Sequence, residues 1–165
     1  MEAAVWGVIG TLIGALASLG GAWLTTHSAN SLHVASSKIE RDEKFRTFQR
    51  DTLIALQDAL HNLMRLTAQG HYEDTLAFHA AGKWGYNTLS DEVNDGQLLA
   101  RRHMLILVER VADDNLRARV KQLNVILTEI SFAKSKGVSD AALNSGFTQS
   151  VEVLELIGTA LRAQY

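Results

Sequence analysis

The chain opens on a nearly unbroken run of apolar positions. From Ala3 to Thr26 no residue is charged, and a helix of about 20 residues crosses the roughly 30 Å hydrocarbon core of a bilayer. Trp6 and Trp23 stand seventeen residues apart, about 25 Å at 1.5 Å per residue. That spacing sets one indole near each membrane interface. Glu2 is the only charged side chain before the run, so the basic n-region of a secretory signal is missing, although Ala15-Leu16-Ala17 resembles a cleavage site. A cleaved signal and a buried core helix stay open as alternatives. The small residues are spaced. Gly7, Gly10, Gly14, Ala17 and Gly21 recur at three and four, and Gly10, Gly14, Ser18 and Ala22 form a small-xxx-small run. Small residues let helix backbones approach closely in lipid, so this face predicts self-association.

Beyond Thr26 the pattern becomes amphipathic. The passage from His27 to Arg46 lacks strong breakers and continues the helix, with Glu40–Lys44 and Asp42–Arg46 as acid-first i,i+4 pairs. A stripe follows at Phe45, Phe48, Thr52, Leu56, Ala59 or Leu60, Leu63 and Leu66, which is helical spacing. The pattern ends that helix near Gln69, with Gly70 as its C-terminal stop. Residues 70–96 are the least regular, with a short helix over Glu73 to Ala81. A helix from Gln97 to Ala112 buries Ala100, Met104, Leu107 and Val111. Its segment Met104 to Val108 is apolar all round, which predicts cover on most sides. Asp113 or Asp114 caps the next helix, whose stripe is Leu116, Val120, Leu123, Leu127 and Ile130. Ser139 caps the last, with the stripe Leu143, Phe147, Val151, Leu154, Gly158 and Leu161. The expected fold is all-α: residues 1–26 a transmembrane anchor, residues 27–165 a cytosolic bundle of about four helices.

Composition narrows this picture. The 165 residues hold no proline to break helices and no cysteine for disulfide, thiolate or metal chemistry. A net charge of −2 gives no general reason to expect nucleic acid as a partner. Lys38, Arg41, Lys44 and Arg46 follow the apolar run and no basic residue precedes it, so the positive-inside rule puts the N-terminus outside and the bundle in the cytoplasm, at the inner membrane.

Candidate chemistry is sparse. The chain contains no phosphate-binding glycine loop, no Gly-x-Ser-x-Gly and no His-Glu-x-x-His. No cofactor is expected. His71, Glu73, Asp74 and His79 read as solvated polar residues rather than metal ligands. Arg101, Arg102 and His103, with Arg117, Arg119 and Lys121, read either as solvated helix faces or as a basic strip for phosphates.

Arg65-Leu-Thr-Ala-Gln-Gly-His71 resembles the R-x4-6-H pattern of the HEPN superfamily of cytosolic helical bundles, with Leu66 where that family often has a polar residue. The resemblance implies that Arg65 and His71 face a partner's pair across a composite ribonuclease site. One membrane helix followed by such a bundle also resembles the small membrane accessory protein of some RNA-targeting CRISPR systems, whose membrane helices assemble into a pore. This implies an oligomeric membrane effector in antiviral defence. The residues themselves favour a non-enzymatic reading: a membrane protein whose bundle binds itself or an unidentified protein partner.

Overall fold

The computed structural model describes residues 2–85 and 89–165. Among residues 2–35 it describes the side chains of Gly7, Gly10, Thr11, Gly14, Ser18, Gly21, Trp23 and His33. The chain is all-helical among the described residues, with four helices: α1 (Glu2–Ala81), α2 (Asp91–Val108), α3 (Asp114–Ser131) and α4 (Lys136–Arg162). It divides into two compact units, residues 1–45 and 46–165. Among the described residues no helix is long and apolar enough to cross a membrane. Most side chains of the uncharged run on which that expectation rests, Trp6 and Ala17 included, lie outside the described residues.

In the first unit, Thr11 Oγ1 donates to the Gly7 carbonyl at 2.8 Å, a local bond that satisfies its hydroxyl within the helix. Lys44 Nζ meets Glu40 at 2.6 Å.

The second unit is a four-helix, up-down-up-down bundle. Gln97 of α2 bonds to Leu66 of α1, and Arg110, just past α2, bonds to Gln49, so α2 runs antiparallel to α1. At one end of α4, Ser139 meets His71. At the other, Tyr165 lies under Arg50, 5.9 Å from the ring centroid. Thus α4 also opposes α1. The core is Leu53, Leu56, Leu60 and Leu63 of α1 with Met104 and Val108 of α2, Leu116, Val120, Leu123 and Leu127 of α3, and Val153 and Ile157 of α4. Each fully buried leucine stabilises the fold by about 1.5–3 kcal/mol relative to exposure. All five residues of the expected α3 stripe are buried. Asp113 caps that helix as expected, accepting the Leu116 N–H at 2.9 Å.

Several expectations are corrected. Helix α1 does not stop at Gly70 but runs on to Ala81. Gly70 is instead a close-approach site: a Cβ there would lie 2.5 Å from Gln97 Nε2. The second helix begins at Asp91 rather than Gln97, because Val93 packs inward and Glu73 anchors Ser90 through its N–H (3.1 Å) and its hydroxyl. Phe45 and Phe48 are exposed, since the inward position there belongs to Gln49. Its Nε2 donates to the Arg110 carbonyl and its Oε1 accepts the Ala112 N–H, both at 2.9 Å. Leu105 and Ile106 are also exposed, so α2 is covered on one face only. Ser135, not Ser139, caps α4. The buried line of α4 is Ser139, Gly146, Ser150, Val153 and Ile157; of the expected stripe, Leu143, Leu154 and Leu161 pack half-buried against the core, and Phe147 and Val151 are turned outward.

Candidate functional site

His71 sits where α1, α4 and the connection after α1 converge. Its Nε2 lies 3.1 Å from Asp140 Oδ1, and its Nδ1 shares a hydrogen with Ser139 Oγ at 2.9 Å. Ser139 Oγ is also 3.3 Å from the Ile130 carbonyl at the end of α3. Lys136 Nζ holds the other oxygen of Asp140 at 2.6 Å. The hydrogen bond from Lys136 keeps the Asp140 carboxyl below its ordinary range, against the smaller effect of burial, with the charges of Lys136 and His71 helping. The Trp84 ring lies 5.9 Å from that of His71, and its indole N–H donates to the Ala133 carbonyl at 3.0 Å. His71 is therefore a helix residue with both ring nitrogens engaged inside the bundle. It is not a loop residue beyond a helix end.

Arg65 belongs to a different face. Its guanidinium donates to Asn62 Oδ1 at 3.1 Å, and it lines a shallow groove between α1 and α2 with Glu92, Gly96 and His103. The six-residue step from Arg65 to His71 turns the two side chains to different neighbours. One chain does not bring them together.

Behind Trp84 lies a cleft of about 290 Å³, lined by Asp74, Asn94, Gln97, Leu98 and Arg101 and by the end of α3 at Ser131 to Ala133. Burial pushes the Asp74 carboxyl up; the charge of His71 opposes this and that of Glu73 adds to it. Burial also lowers the Arg101 guanidinium, and Arg101 Nε is buried without a hydrogen-bond partner. The carbonyl end of α3 favours a cation at this position.

The basic residues do not form one strip. Arg101 lies at the C-terminal end of α3, whereas Arg117 bonds Asp114 and the Val111 carbonyl at its N-terminal end. Lys121 pairs with Glu109 at 2.6 Å, and that contact draws the Glu109 carboxyl down. Arg102 is exposed on α2. Among the described residues no cluster of His, Asp or Glu is arranged to hold a metal ion. In the first unit, a Cβ added at Gly7, Gly10, Gly14 or Gly21 would meet no described residue within 4 Å.

Sequence reasoning missed Gln49, Gln97 and Trp84, and gave Ser139 a capping role instead of its contact with His71. A polar residue inside an apolar stripe is the one signal that could have marked the two glutamines, because buried polar groups need partners. In comparisons with known proteins, no family model, curated protein or solved structure matches the chain.

Proposed function

We propose that the chain is a single-pass inner-membrane protein whose cytosolic bundle holds copies of itself, or a protein partner, together at the membrane. One observation carries this reading. The uncharged stretch Ala3 to Thr26 lies on the same helix, Glu2–Ala81, whose later turns supply the first core stripe of the bundle. Glycine in a helix interior costs about 1 kcal/mol relative to alanine. Among the described residues, a Cβ at Gly7, Gly10 or Gly14 would meet nothing within 4 Å, so contacts among those residues do not account for these glycines. Close approach of a second helix in lipid does. By contrast, Gly70, Gly96 and Gly146 in the bundle each face a neighbour inside 3.3 Å.

The burial of Ser139 supports a binding role over a catalytic one: the hydroxyl on His71 Nδ1 is 0% exposed, so a substrate has no access to it, and a general base must reach the proton it moves. Basic residues on the bundle side of the stretch support an N-out, C-in topology. Alkaline extraction of membranes expressing the full chain, together with a reporter fused after Tyr165, tests the reading. The expected result is a chain that stays in the membrane pellet with a cytoplasmic reporter. Extraction into the supernatant, or a periplasmic reporter, overturns it.

A further inference from the structure

The apolar stripe of α4 divides: Leu143, Leu154 and Leu161 pack half-buried against the core, and Phe147 and Val151 face outward. Phe147 and Val151 are 45% and 57% exposed, while the bundle is packed through the small residues Gly146 and Ser150 on another face. Along the outward face runs a groove lined by Val151, Leu154, Glu155, Gly158, Thr159 and Arg162. The Arg162 guanidinium folds back over this groove. Its Nη2 donates to Thr159 Oγ1 at 3.0 Å, and its Nη1 is 3.5 Å from the position of a Gly158 Cβ. Neither Glu155 nor Arg162 takes part in an ion pair among the described residues. Their separation of seven residues, two helical turns, places one charge on each side of Gly158.

This arrangement is self-complementary. We infer that α4 docks antiparallel against α4 of a second copy of this chain, about a two-fold axis passing between Gly158 and Thr159. In that register each residue faces the one equally far beyond the axis. Arg162 then meets Glu155 of the second copy, and Glu155 meets its Arg162, as an isologous interface requires. Gly158 and Thr159 meet across the axis, where small side chains permit close approach. Leu154 is set opposite Ala163 of the second copy; positions 152–165 pair with one another, and Phe147 and Val151 stand outside this interface. The other nearby charges are Glu152 on α4 and Arg119 on α3, which border the neighbouring groove on the α3 side. The inference rests on the self-association proposed above and names the surface through which the bundles take part in it.

The chain has no cysteine, so single cysteines report this interface cleanly. Thr159→Cys and Asn144→Cys are each introduced into the full chain in mild detergent and oxidised. Thr159→Cys should give a covalent dimer, and Asn144→Cys, about four turns from the axis on the same helix, should stay uncross-linked. Adding Glu155→Arg to Thr159→Cys should reduce the dimer yield severalfold, and adding Arg162→Glu to that variant should restore it. Equal yields at the two positions would overturn the inference as mere collision. An oligomer by light scattering that gives no Thr159→Cys dimer would overturn the α4 interface and leave self-association standing. A chain that is monomeric by light scattering at every concentration would overturn both.

Discussion

Gly70 offers a decisive test of how the bundle is assembled. It lies inside a helix, where alanine is favoured over glycine by about 1 kcal/mol. On propensity alone, Gly70→Ala should stabilise the protein. The structure predicts the opposite sign. The new Cβ would stand 2.5 Å from Gln97 Nε2, a buried amide that donates to the Leu66 carbonyl at 3.0 Å. The Leu89 methyls, at 3.5 Å, are ordinary contacts. The glutamine must swing away, leaving its buried amide without an acceptor, at about 1–3 kcal/mol, while the Leu66 carbonyl keeps its bond from the Gly70 N–H within α1. Set against the propensity gain, Gly70→Ala should destabilise by up to about 2 kcal/mol. Urea unfolding of the full chain in detergent, followed by helical circular dichroism, measures this. The control is the same substitution in a Gln97→Ala background, where the obstruction is gone and the propensity gain of about 1 kcal/mol should emerge. A Gly70→Ala variant that is more stable than the parent in both backgrounds would refute the close-approach account.

Other outcomes follow from the same contacts. Gln49→Ala should cost about 2 kcal/mol, because the Arg110 carbonyl and Ala112 N–H lose their partner together, and the loss should appear in the same urea midpoint. His71→Ala should destabilise by about 1–2 kcal/mol through Ser139 and Asp140, whereas Arg65→Ala, on the surface, should stay within about 0.5 kcal/mol. This changes the expectation for His71 that follows from placing it in a loop. Asp74→Asn should raise stability at neutral pH: a carboxyl raised in the native state disfavours folding above its native pKa and ceases to do so below the ordinary 3.8. The gain should therefore fade as the urea midpoints are followed down in pH to that value, and a gain that persists there would contradict the burial of this group.

Much of the bundle was legible in the sequence where one helix face does one job. In α3 the apolar period, the Asp113 cap and the buried line coincide, because that helix turns a single face to its neighbours. In α4 they separate. Its buried face carries Ser139, Gly146 and Ser150, chosen for closeness rather than hydrophobicity: a Cβ on Gly146 would lie 3.2 Å from a Leu127 methyl. Val153 and Ile157 share that buried face, while Phe147 and Val151 of the expected stripe point outward, and hydrophobic period alone cannot tell a core from an exposed face. Gly70 was misread for a related reason. A glycine beside polar residues has the signature of a helix end, while close approach by a glutamine 27 positions away leaves no local mark. The candidate site was less legible still. Arg65 and His71 are near in sequence, yet the six-residue step points them to different neighbours, and the partners of His71 lie almost 70 residues on. The basic residues are likewise set apart by the fold, with Arg101 beside the end of α3 and Arg117 in its first turn.

The central claim is that copies of this chain associate through a membrane-anchored helix and the bundle that follows it. The mass of the full chain in mild detergent, measured by light scattering across a dilution series, tests it most directly. The account predicts a multiple of the 18.1 kDa protomer that survives dilution and falls when Gly14→Leu places a bulky side chain on the small-residue face. A mass of one protomer at every concentration would contradict it.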